Sequence, residues 1–294
     1  MRRGAGVVAL AAVALAGCSR SAAPPPSPAA AVPAAPASPA AVPQAKLSQQ
    51  EGDALMQAIF AQRYEADKGY ALAEIDVKDA SASATGFYQM TLLSAQPLAD
   101  GRMAVIVNGC PADEQGNSAA SHASVGMLNV YVLQPDGQSW KVVERRENAA
   151  SFGSSGMIGS ARWVMLAANK PGFIISTGGT WQGYTISVAE IFDLDGVRAL
   201  GAISEMSSSA GACAPEMADA CWDVSGELRF VDSPTPSPYR DVAVDFTDKR
   251  FIVTEGQGGN FVEHLKSSTR KAARYHFNGK EYVLVFGENP VPGI

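Results

Sequence analysis

The chain has 294 residues, 47% of them hydrophobic and 18% charged, with four cysteines and a formal net charge of -6. That length and apolar content supply a sizeable core, which excludes a disulfide-scaffold miniprotein and a wholly disordered chain. Residues 1–46 hold four basic groups and no acid, so residues 47–294 carry 19 basic against 29 acidic groups. A part that folds at about -10 argues against a nucleic-acid partner.

Met1-Arg2-Arg3 opens the chain and an uncharged apolar run follows from Ala5 to Ala16. The run is too short for a membrane span, which needs roughly 20 residues, and it suits the apolar region of a signal peptide over residues 1–17. It ends in Leu15-Ala16-Gly17-Cys18, which resembles the lipobox of bacterial lipoproteins. That resemblance implies cleavage before Cys18, acylation of its sulfur with palmitate or a similar chain, and lipid anchoring. In such proteins an aspartate after the cysteine marks inner-membrane retention. Here Ser19 follows, which implies an outer-membrane anchor facing the periplasm.

After Cys18, the segment to residue 46 is nearly all Ala, Pro and Ser, with eight prolines between Pro24 and Pro43. Proline at this density favours extended polyproline II and forbids a packed core. Fully extended, such a tether reaches on the order of 80 Å. The globular domain is expected over 47–294.

Ser48 and Glu51 have capping-box spacing, and Leu55, Met56, Ile59 and Phe60 recur at helical period. Together with Lys68-Gly69 as a stop signal, they predict one amphipathic helix over about 48–67. It either packs on the rest of the domain or contacts a partner.

Beyond Gly69 the pattern becomes short β-branched and aromatic runs between turn residues. Strands are expected at 70–76, 87–94, 102–108, 126–133, 139–144, 162–167, 172–176, 184–192, 197–203, 226–231, 241–246, 250–254, 273–277 and 281–286. Asp136-Gly137, Asp195-Gly196 and Asn278-Gly279 each separate two such runs, a strong hairpin signal. An aromatic strand, this turn and a second aromatic strand resemble the outer hairpin of a β-propeller blade. The expected fold is all-β, propeller-like with about four to five blades, and a β-sandwich is the alternative.

Cys213 and Cys221 lie close together in an exported chain and are the expected disulfide. Cys110 is left over and is expected to be free and buried, with pairing to either of the others as the alternative. His122, between Ser121 and Ala123, is the best candidate for a base, but no G-x-S-x-G elbow accompanies it, so no catalytic residue is assigned. No metal site or cofactor is implied: the histidines lack ligand spacing, and Asp193-Leu194-Asp195-Gly196 fails as a calcium loop.

Gly178-Gly179-Thr180-Trp181-Gln182-Gly183-Tyr184 makes a poor regular strand and a good place for stacking, so Trp181, Gln182 and Tyr184 join His122 as candidate binding residues. A core-filling Trp181 is the alternative. Two cysteine-bearing stretches, 109–124 and 204–224, are expected to be long loops, the second stapled and suited to protein contact.

A lipid anchor, a stiff tether and an acidic all-β body without a catalytic constellation resemble, in architecture, tethered β-propeller lipoproteins that act as immunity proteins against cell-wall-degrading effectors. The resemblance implies a non-enzymatic inhibitor of a protein partner, a basic secreted hydrolase. An envelope scaffold or assembly lipoprotein is the alternative, with an enzyme third.

Overall fold

In the computed structural model, residues 46–78, 83–217 and 221–293 are described. The signal segment, Cys18 and most of the tether lie outside them. One helix, α1 (Gln49–Phe60), is followed by fourteen strands: β1 (Tyr64–Glu65), β2 (Tyr70–Lys78), β3 (Ser83–Pro97), β4 (Met103–Ala112), β5 (Gly126–Asp136), β6 (Ser139–Phe152), β7 (Ser160–Ala167), β8 (Lys170–Trp181), β9 (Tyr184–Asp193), β10 (Arg198–Ser208), β11 (Cys221–Val231), β12 (Asp241–Glu255), β13 (Phe261–Phe277) and β14 (Tyr282–Gly287). Except at the β6–β7 break, each strand pairs antiparallel with its neighbours in sequence, giving a six-stranded sheet from β1 to β6 and an eight-stranded sheet from β7 to β14.

This is the two-sheet, sandwich-like arrangement that was the alternative expectation. Among the described residues no set of four-stranded blades is seen. The three Asp-Gly and Asn-Gly turns do close hairpins, β5–β6, β9–β10 and β13–β14, with Gly137, Gly196 and Gly279 at positive φ. A hairpin signal is local, however, and does not say where one sheet ends and the next begins.

The division falls at the β6–β7 crossover, and one buried side chain fixes it. Asn108 Oδ1 accepts from the Ile158 amide at 2.9 Å, and its Nδ2 donates to the Gly156 carbonyl at 3.0 Å. Both backbone groups would otherwise be left without partners as the chain passes from one sheet to the other. The close approach also needs Gly126, where a Cβ would lie 2.5 Å from the Ile158 nitrogen.

Strand alternation explains the layers. In β4 and β5, Val105, Val107, Met127, Tyr131 and Leu133 face α1, whose Leu55, Met56, Ile59 and Phe60 complete that core. Ala104, Ile106, Leu128 and Val130, on the opposite face, meet Trp163, Phe173, Ile175 and Phe192 of the second sheet. Both faces being covered, Ala104–Val107 reads as an unbroken apolar run. The far face of the second sheet curls on a third cluster, including Ile174, Ile191, Val244, Phe246 and Tyr275, so that β7 touches β11 and β10 touches β14.

The capping box is present: Ser48 and Glu51 bond reciprocally. The helix is shorter than its pattern implied. It ends at Ala61 (φ 52), because Tyr64-Glu65 turns back to pair with Tyr70-Ala71, making Gly69 a hairpin residue rather than a helix stop. Tyr64 Oη donates to Asp53 Oδ1 at 2.6 Å, and burial together with that bond pushes the phenol up to about 12. With its apolar residues buried on the first sheet, α1 has no free greasy face to offer a partner.

The runs expected at 241–246 and 250–254 are one strand, β12. The polar break between them holds Asp248, buried and bonded to Arg250 Nε at 2.7 Å. β13 begins twelve residues earlier than expected, because its first part is exposed and carries no apolar alternation.

Candidate partner-binding cleft

The β8–β9 hairpin closes on two residues, with Trp181 paired to Tyr184 and Gln182 and Gly183 at φ 50 and φ 86. Two positive-φ centres make the tight turn that matches strand twist. The glycines before it lie in a regular ladder, contrary to the irregular segment expected there, and their missing side chains make room. A Cβ on Gly178 would lie 1.9 Å from the Ile186 carbonyl oxygen, and one on Gly179 would lie 2.7 Å from the Trp181 ring. Gly179 thus beds an indole that is 40% exposed, so Trp181 is not a core-filling residue.

The opposite side is supplied by Trp222, which directly follows Cys221 in β11. Cys213 and Cys221 are bonded, and Cys110 is free but only partly buried. The Gly211 amide donates to the Gly183 carbonyl at 3.0 Å, so the turn just before Cys213 is tied to the hairpin tip. Trp222, next to the second half-cystine, donates through its amide to Ser209 Oγ (2.9 Å) and through Nε1 to Ser207 Oγ (3.0 Å). Its ring stacks on Tyr184, with centroids 5.6 Å apart and planes 29° from parallel.

The resulting cleft of about 690 Å³ is lined by Trp181, Gln182, Tyr184, Ile186, Trp222 and Gly293. His122 stands at its edge, its ring 6.2 Å from that of Trp181 and tilted 60°. Its loop is held by the Ser155 amide donating to the His122 carbonyl (3.2 Å) and the Gly156 amide donating to the Ser124 carbonyl (2.8 Å). At the other end of that loop, the Asn117 side chain and amide donate to Asp113, which holds its carboxyl below the usual value.

Of the four residues singled out in the sequence, Trp181, Gln182 and Tyr184 line the cleft, and His122 lies beside Trp181 without lining it. Ile186, Trp222 and Gly293 were missed. An aromatic immediately after a half-cystine was the available signal for Trp222.

The chemistry of the cleft is stacking and apolar contact. Ser121 and Ser124 hydroxyls lie 3.1 Å from each other, and among the described residues neither bonds the His122 ring. A second Ser–His–Asp grouping occurs elsewhere: His276 Nδ1 lies 2.8 Å from Asp241 Oδ1 and 3.3 Å from Ser233 Oγ. One nitrogen faces both partners, whereas a triad places acid and nucleophile on opposite nitrogens.

Asp193, from the rejected calcium motif, is buried and accepts from Tyr239 Oη at 2.5 Å, with Lys170 Nζ at 3.3 Å. Its other oxygen accepts from the Asp195 amide, as a turn residue does. Among the described residues, no three His, Cys, Asp or Glu side chains cluster as metal ligands. Comparison with known proteins finds no family model, no curated protein and no solved structure that matches this chain.

Proposed function

We propose that this chain is a lipoprotein anchored through Cys18 to the outer membrane, facing the periplasm, and that it binds and inhibits a protein partner. The partner class is a basic secreted hydrolase that attacks the cell wall. The observation that carries the reading is the convergence of Trp181, Tyr184 and Trp222 on one cleft, beside a tight hairpin whose tip is bonded to the turn before the Cys213–Cys221 bridge.

Exposed aromatics on a rigid frame bind a protruding side chain with little loss of conformational freedom, and such residues dominate interface energetics. The excess of acid over base in residues 47–294 speeds encounter with a basic partner, most strongly at low salt. Bacterial cells expressing the full chain supply the test. Wild type is expected to label with palmitate and to co-purify from the envelope with a basic secreted hydrolase. Cys18→Ser removes the label, and a Trp181→Ala/Trp222→Ala variant keeps the label but loses the hydrolase. Retention of the hydrolase by that variant at the wild-type level refutes the cleft as the site.

A further inference from the structure

β13 is the longest strand, yet β14 covers its outer edge only from Ala273 to Phe277. The Glu288 amide reaches the Ala272 carbonyl, and from Lys271 back to Phe261 that edge has no strand beside it among the described residues. A row of unpaired backbone donors and acceptors is a template for another strand. Phe261 (58% exposed) and Leu265 (59% exposed) lie along it.

We propose that this edge pairs with the same edge of a second copy, antiparallel across a two-fold axis, joining the two eight-stranded sheets. The argument rests on register. Ser267 pairs with Arg250 and Leu265 with Phe251, so Lys266 is an extra, bulged residue. The bulge reverses the alternation. Phe261, Glu263 and Leu265 share the sheet face of Ser268, Arg270 and Ala272, while Val262 and His264 share that of Thr269 and Lys271.

Where the segment before the bulge meets the partner's segment after it, antiparallel neighbours share a face only in registers whose two residue numbers sum to an odd value. One of these sets Val262 against the partner's Lys271 and places Glu263 opposite the partner's Arg270, twice by symmetry. Among the described residues neither Glu263 nor Arg270 has an ion-pair partner. Opposite charges directly across a strand pair stabilise it, and like charges there oppose it. In this register the two bulges, each with its Lys266, fall together at the two-fold axis, between the symmetry-related Leu265–Ser268 pairs.

Sedimentation of the full lipidated chain in detergent, at micromolar concentration, tests the pairing. Wild type is expected at twice the protein mass of a single chain. Glu263→Arg alone and Arg270→Glu alone each place like charges across the axis and are expected as single chains with unchanged near-UV circular dichroism. The double exchange, and an equal mixture of the two single variants, restore the doubled mass. If a reversal prevents folding, Glu263→Gln and Arg270→Gln carry the same prediction as a weakened dimer. A wild type that sediments as one chain overturns the proposal, as does a doubled mass that both reversals leave intact.

Discussion

The Gly211 amide lies 3.0 Å from the Gly183 carbonyl, and this one backbone bond couples the turn leading into the Cys213–Cys221 bridge to the hairpin that presents Trp181 and Tyr184. A Cβ on Gly183 would sit 2.3 Å from the Gly211 carbonyl carbon at a φ of +86, so the contact exists only between two glycines. Gly183→Val is expected to separate loop from hairpin and to weaken the Tyr184–Trp222 stack. Loss of near-UV circular dichroism with an unchanged far-UV spectrum is the signature, and an unaltered near-UV band contradicts the coupling.

The disulfide closes a short loop, for which chain entropy gives roughly 2–3 kcal/mol. Cys213→Ser/Cys221→Ser should therefore leave a folded protein with a modestly lower urea midpoint. Because Trp222 follows Cys221 directly, affinity for the partner should fall by more than that stability loss implies. Equal partner affinity in the oxidised protein and the variant argues against the bridge as a support of Trp222.

Asn108 supplies both bonds that hold the crossover between the sheets. Asn108→Ala leaves the Ile158 amide and the Gly156 carbonyl buried without partners, at roughly 1–3 kcal/mol each. Urea unfolding should show a loss within that summed range. Trp181→Ala, by contrast, removes a half-exposed ring and should change stability by less than about 1 kcal/mol. A reversed order of the two effects contradicts the layer arrangement.

Asp241 gives a pH dependence with a definite sign. Burial favours its neutral form, but hydrogen bonds from His276, Arg274 and Ser233 outweigh burial and hold the carboxyl below its usual value. As pH falls, the unfolded chain takes up the proton first. The contribution is therefore complete above the ordinary carboxylate range near pH 4 and is lost as pH falls through it toward the lowered native value. Asp241→Asn should lower the urea midpoint at pH 7 and flatten its decline between pH 5 and 3. Parallel profiles for the two proteins refute this assignment. Arg274 keeps its bond to the Asp232 carbonyl and is one-third exposed, so a loss of about 1–3 kcal/mol is expected at neutral pH.

Much of this was legible in the residues, and the failures share a cause. Ser48 and Glu51 announce the helix start because a cap is local chemistry, and the Asp-Gly and Asn-Gly pairs announce hairpins for the same reason. The Cys213–Cys221 bridge and the stacking group at Trp181 were likewise readable from near neighbours in sequence. The helix end was misread because Ala61 turns the chain into a β1–β2 hairpin that no strong signal marks. The six-and-eight division depends on Asn108 meeting Ile158 across 50 residues, a tertiary contact with no sequence signature. Trp222 reaches Tyr184 only because the loop before it is stapled and tied down. The first half of β13 escaped notice because its exposed face and edge carry polar residues, and strand periodicity is visible only where one face is buried.

Inhibition is the most direct test of the cleft. The full chain in detergent is titrated into a candidate partner, a basic secreted cell-wall hydrolase of the same bacterium, with cell-wall hydrolysis as the readout. Wild type is expected to abolish hydrolysis at stoichiometric amounts, with Trp181→Ala/Trp222→Ala needing at least about tenfold more, the equivalent of 1.4 kcal/mol. Hydrolysis that proceeds unchanged in excess wild-type protein contradicts the account.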